Sequence, residues 1–161
     1  MKLVTTSLVA LFLFSACSLS TDSNDLQNPC NSATLQAEQT FLEENAQNES
    51  ITVTDSGLQY RFIEQTEDGA SPNANSTVRV NYHGTLLSGD VFDSTRNRGP
   101  ATFGLQNVIA GFGEGITLMT TGDVIEIFIP TNLAYGNNPP PGSIICPGGM
   151  LIFEIELLEI L

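Results

Sequence analysis

Two runs of strict alternation constrain this chain more than any other feature. Val78, Val80 and Tyr82 alternate with Arg79, Asn81 and His83, and Leu151, Phe153, Ile155 and Leu157 are set against Glu154 and Glu156. Successive side chains of a strand point to opposite faces, so each run predicts a strand with one buried and one wet face. Shorter apolar runs predict strands over 51–56, 58–63, 91–93, 101–105 and 124–129, the first two broken at Ser56-Gly57 and the last ended by Pro130. A sheet that hides one face needs a cover. Between 107 and 116, Val108, Ile109, Phe112 and Ile116 fall on one face of a short helix. Gly111, Gly113 and Gly115 weaken that helix, so packing must hold it. Nearer the N-terminus, Ser32 reads as a cap for a helix over 33–45, with Leu35, Phe41, Leu42 and Ala46 along one side. The expected class is α+β, an antiparallel sheet with one short helix inserted late. A cleft lies between that helix and the concave face of the sheet.

The N-terminus reads as a secretory signal. Lys2 supplies the positive charge, 3–14 is an apolar stretch too short for a comfortable membrane span, and Ser15-Ala16 precedes Cys17. Phe14-Ser15-Ala16-Cys17 resembles a bacterial lipobox, which implies a signal over 1–16, diacylation of Cys17 and a tether over 17–31. The other reading is an ordinary cleavable signal with an incidental cysteine. Ser18 is not acidic, which by analogy with enterobacterial sorting favours the outer membrane. The expected location is the bacterial cell envelope, lipid-anchored on the periplasmic side or the surface, with no other membrane attachment. Two cysteines remain, Cys30 and Cys146, and an even remainder in an oxidising compartment predicts a disulfide between them.

The net charge is −13, with eighteen acidic residues against five basic ones, one of which is Lys2. Such a surface repels nucleic acid and anionic headgroups. It either keeps a secreted protein soluble or recruits basic clients. The polar inventory of the cleft is sparse. His83 is the only histidine, it lies on the wet side of its strand, and without a cysteine cluster it argues against a metal site. No G-x-S-x-G elbow is present, and Ser94 has no histidine at a recognisable spacing, which excludes a serine hydrolase of that kind. Arg96 and Arg98 read as solvated loop charges.

Asn81-Tyr82-His83-Gly84-Thr85-Leu86, Gly89-Asp90-Val91-Phe92-Asp93-Ser94, Val108-Ile109-Ala110-Gly111-Phe112, Ala134-Tyr135-Gly136 and Ile152-Phe153-Glu154-Ile155-Glu156-Leu157-Leu158 together resemble the FKBP-type peptidyl-prolyl isomerases. The resemblance covers 57–161 and leaves 32–56 as an N-terminal helix and lead-in strand. It implies five or six antiparallel strands wrapped around one short helix, and a proline-binding pocket that uses no cofactor. The pocket residues it implies are Tyr82, Phe92, Asp93, Phe103, Val108, Ile109, Phe112, Tyr135, Ile145 and Phe153. Among these, Asp93, Tyr135 and Tyr82 are the catalytic candidates. Tyr135 either donates its hydroxyl to a substrate carbonyl or bonds backbone in the core. Asp93 either holds the Tyr82 hydroxyl, faces the rotating carbonyl or caps the turn before Ser94. Phe112 stands where most members carry tryptophan, so a deeper floor and weaker macrolide inhibition are expected. The loop over 137–149 also departs from the family pattern. Some secreted members dimerise through long upstream helices that are not found here, so a monomer is expected. The implied function is isomerisation of X-Pro bonds in unfolded or partly folded exported proteins. The alternatives are a prolyl-peptide clamp without turnover and a structural lipoprotein with a dead pocket.

Overall fold

The computed structural model describes residues 30–161. The candidate signal, Cys17 and most of the tether lie outside the described residues. In chain order the elements are α1 (Ser32–Asn45), β1 (Thr52–Val53), β2 (Gln59–Glu64), β3 (Thr77–Thr85), β4 (Val91–Ser94), β5 (Ala101–Gly104), α2 (Ala110–Thr117), β6 (Val124–Ile129) and β7 (Leu151–Ile160). All pairings are antiparallel. The strand order is β1-β2-β6-β7-β3-β4, with β5 also on β3. The count of seven strands includes β1, which is only two residues long. It is cut short because the chain turns back at once: the Thr54 N–H donates to the Leu58 carbonyl at 2.9 Å and the Gly57 N–H to the Thr54 carbonyl at 3.0 Å.

The two alternating runs become the longest strands, β3 and β7, and pair with each other, Tyr82 opposite Ile155 and Gly84 opposite Phe153. Val78, Val80, Tyr82, Leu151, Phe153, Ile155 and Leu157 are all buried. Burying a side chain of this size stabilises the fold by roughly 1.5–3 kcal/mol. Across this face runs α2, which presents Phe112 and Ile116 to the sheet. Its glycines permit a close approach to β6. A Cβ on Gly111 would collide with the Ile129 side chain, and one on Gly115 would stand 3.1 Å from Ile127. The helix starts at Ala110, not at 107 as the periodicity suggests. Residues 105–107 form a tight 3-10 turn, and Val108 and Ile109 are extended, with ψ of 168° and 147°.

The other sheet face is covered by α1 where β6 turns Phe128 away from α2. Phe41 packs on Phe128 with ring centroids 5.6 Å apart. Buried Gln59 fastens the helix C-terminus: its Nε2 donates to the Leu42 carbonyl and its Oε1 accepts from Asn45 Nδ2, both at 2.8 Å. The cap is Asn31, not Ser32, because the Asn31 side chain accepts from the Thr34 N–H at 2.8 Å. None of Leu35, Phe41, Leu42 and Ala46 is fully buried. The buried residue of α1 is Glu38, whose Oε2 accepts from the Met150 N–H at 2.9 Å. Ahead of the helix, Cys30 is joined by a disulfide to Cys146, across 116 residues. Cross-linking residues so far apart in sequence typically stabilises a fold by about 2–4 kcal/mol.

Candidate active site

Four rings build the floor and walls of one cavity. Phe112 comes up from α2 and is 4% exposed. Around it stand Tyr82 from β3, Phe103 from β5 and Phe153 from β7, at centroid distances of 5.9, 5.9 and 5.0 Å. All three meet Phe112 edge to face, the arrangement that aromatic quadrupoles favour. Phe92 of β4 meets Phe153 edge-on at 5.2 Å. That contact needs Gly84 on the adjoining strand, since a Cβ there would come within 2.7 Å of the Phe92 ring and 2.9 Å of Phe153. The cavity is open, about 610 Å³ in volume. It is lined by all ten residues singled out from the sequence: Tyr82, Phe92, Asp93, Phe103, Val108, Ile109, Phe112, Tyr135, Ile145 and Phe153.

Polar groups sit at the mouth. Asp93 Oδ2 accepts from the Tyr82 hydroxyl at 2.5 Å. Its Oδ1 accepts from the Ser94 N–H at 2.9 Å and pairs with Arg98 Nη2. Two of the readings of Asp93 therefore hold together: it grips Tyr82 and it caps the turn. Burial and the bond to Asp93 push the Tyr82 hydroxyl up to about 12, so it stays a proton donor. Thr95 fixes the backbone beneath this ring, its Oγ1 accepting from the Tyr82 N–H at 2.8 Å and donating to the Tyr82 carbonyl at 3.1 Å. Tyr135, half-buried after a 3-10 turn over Thr131–Leu133, is also shifted upward, by desolvation and then by the Asp93 charge. Its hydroxyl makes no hydrogen bond with the described residues. The core-bonded reading of Tyr135 is thus corrected: the hydroxyl is not taken up by backbone.

Three lining residues were not foreseen: Asn107, Pro140 and Ser143. Asn107 lies one position before Val108 and needed only the 3-10 turn to reach the cavity. Pro140 and Ser143 belong to the loop over 137–149, whose path no periodicity encodes. Arg96 and Arg98 are exposed loop charges, as expected, and each also has a partner. Arg98 binds Asp93 and donates to the Ser94 carbonyl, and Arg96 pairs with Glu154 at 3.1 Å. His83 faces Ser94, with Nδ1 and Oγ 3.0 Å apart, away from the cavity. No group of three His, Cys, Asp or Glu side chains among the described residues is placed to hold a metal ion.

Residues 69–158 match the family described as FKBP-type peptidyl-prolyl cis-trans isomerase, and residues 18–62 match the domain amino terminal to it. The chain belongs to the FKBP-type peptidyl-prolyl cis-trans isomerase family. It is similar to the FKBP-type 22 kDa peptidyl-prolyl cis-trans isomerase of Escherichia coli, 50% identical over 122 residues that make up 75% of this chain and 58% of the relative. It is also similar to outer membrane protein MIP of Legionella longbeachae, 45% identical over 74% of this chain and 51% of that one. The chain spans about half the length of the curated relatives it matches. Among solved structures, FkpA from Escherichia coli superposes with a TM-score of 0.73 at 36% identity, over 80% of this chain and 60% of that one. A peptidyl-prolyl cis-trans isomerase from Pseudomonas syringae gives 0.72 at 32% identity, over 80% and 93%. Family membership and the antiparallel sheet around α2 agree with the reading of the sequence.

Proposed function

We propose that the protein is a peptidyl-prolyl cis-trans isomerase acting on X-Pro bonds of exported polypeptides in the bacterial cell envelope. The observation that carries this reading is the open, aromatic-walled cavity that α2 and the sheet enclose without plugging. Rotation about an X-Pro bond faces a barrier of ~18–20 kcal/mol from amide resonance. No bond to a heavy atom breaks, so no nucleophile is required. In the planar amide, charge separates between nitrogen and oxygen; a dry apolar site disfavours that form relative to the twisted one. Phe103, Phe112, Phe153 and the Tyr82 ring grip the pyrrolidine by shape. Tyr135 donates its open hydroxyl to the substrate carbonyl at the mouth. Asp93, with its oxygens engaged by Tyr82, Ser94 and Arg98, positions Tyr82 instead of acting as a free base. Complementarity to the twisted amide is what raises the rate.

The disulfide supports an oxidising compartment, and the printed name of the Legionella longbeachae relative supports an envelope location. Cys17 carries the lipid in this reading, which rests on Phe14-Ser15-Ala16-Cys17, and the protein works as a monomer. With phenylalanine at the cavity floor, macrolide inhibitors bind it weakly. The test is cis-trans exchange of an X-Pro peptide by the purified protein. Acceleration that a macrolide suppresses only at high concentration supports the proposal. Exchange no faster than in buffer, with measurable peptide binding, makes the protein a clamp without turnover.

A further inference from the structure

A second concavity adjoins the first. It encloses about 1020 Å³ between α1, the turn over 86–90 and the stretch 143–146. Ser143 lines both spaces, and its neighbours divide between them: Ile144 faces the groove and Ile145 the proline cavity. The groove walls include Ala37, Leu87 and Ile144, and Ile144 is 50% exposed although its side chain is large and apolar. Two carboxylates, Glu38 and Asp90, also line it, and no lysine or arginine does. The four arginines of the described residues are committed elsewhere, to Glu126, Glu159, Glu154 and Asp93. Glu38 is buried, with Oε2 used by the Met150 N–H, and burial raises its carboxyl above the ordinary value, so the exposed negative charge on the groove is that of Asp90. The groove therefore combines apolar walls, unopposed negative charge and a shared rim with the cavity.

We propose that this groove is an exosite for the same client chain that places its proline in the cavity, and that it takes flanking apolar residues with a lysine or arginine among them. The inference rests on the isomerase reading. An extended chain advances ~3.3 Å per residue, so the residues a few positions from the proline cross Ser143 and enter the groove. The occupant is fixed by that continuity and by charge. An acidic protein draws cationic segments toward itself over distance and rejects acidic ones. Clients with basic and apolar residues near a proline are turned over faster than their local X-Pro sequence predicts.

The experiment compares two peptides with the same central X-Pro sequence, one short and one extended on both sides by apolar and lysine residues. For the native protein, kcat/KM for the extended peptide exceeds that for the short one by roughly three- to tenfold. The advantage shrinks as salt is raised and disappears when glutamate replaces the lysines. Ala37→Arg, an exposed position on α1, puts bulk and positive charge into the groove. It abolishes the advantage and leaves the short peptide unchanged. Equal turnover of both peptides by the native protein, or an advantage that survives Ala37→Arg, overturns the exosite. Failure to accelerate either peptide overturns the isomerase reading instead. Should Ala37→Arg lose its cooperative melt, Asp90→Asn on the exposed turn carries the same comparison, with a reduced salt-sensitive advantage expected and an undiminished one counting against the exosite.

Discussion

Phe153 and Tyr135 line the same cavity but are held there by different forces. Phe153 lies in β7, between β6 and β3, and is 6% exposed within the continuous core. Tyr135 sits beyond a 3-10 turn, half-buried, at the start of the loop over 137–149. That loop is tied down by a disulfide at Cys146 and, just beyond it, by the Glu38 bond to Met150. Where packing places a residue, its loss removes fold and function together. Where turns and tethers place it, the two separate, and the mouth of the cavity can change chemistry without dissolving the core.

The largest effect belongs to the packed side. Phe153→Ala removes a ring from the floor and destabilises the protein by about 3–5 kcal/mol through the cavity it leaves, as read from urea denaturation. A loss under about 1 kcal/mol would show that the floor collapses freely, and the contrast would fail. Next is the tether. Reducing Cys30–Cys146 lowers stability by on the order of 2–4 kcal/mol and raises KM more than it lowers kcat. An unfolding transition indifferent to reductant would show that closing the loop adds nothing.

A polar anchor far from the cavity comes third. Burial alone would raise the Asp123 carboxyl, yet bonds from Thr120 and Thr66, backbone and side chain, hold it below its ordinary value. Its stabilisation is complete above the unfolded-state value of ~3.9 and is lost as pH falls through the lower folded-state value. Asp123→Asn costs about 1–3 kcal/mol at neutral pH, flattens the acid limb of the stability profile and leaves neutral-pH turnover intact. An acid limb of unchanged steepness would assign it to other carboxylates. Smallest is Tyr135→Phe, which lowers kcat roughly two- to tenfold, the range one neutral hydrogen bond supplies, with no change in melting. Unaltered kcat would make the tyrosine a wall and nothing more.

The same division governs what could be read from the residues alone. Alternation located β3 and β7 because period two is a local property of a strand that is wet on one side. β6 was bounded correctly by Pro130. Eight of the ten cavity residues were reachable because they belong to the five short motifs that carry the family resemblance; Phe103 and Ile145 lie outside those motifs and were implied only by carrying the resemblance along the chain. Glu38 was not, since no pattern rule buries a glutamate; its place depends on a backbone N–H 112 residues away. The ion pair of exposed Arg98 was hidden for a related reason. Its partner Asp93 is five residues back, near the end of β4, with a turn between them, and neither helical nor strand spacing brings the two side chains together. Ser143 and Pro140 depend on the course of a loop whose shape is set by its two tethers.

The short outer strands have a consequence of their own. β1 has two residues and β4 and β5 have four each, and where β1 leaves β2 uncovered that strand carries Arg61 and Glu64 on either side of Phe62 and the exposed Ile63. Unpaired backbone along a long flat margin invites other chains to hydrogen-bond onto it and grow into aggregates. Sticky, half-folded polypeptides are the proposed clients here, and a broad free margin would give them a template to grow on. Clipped borders let it touch those chains at a notch while offering them little length to zip against.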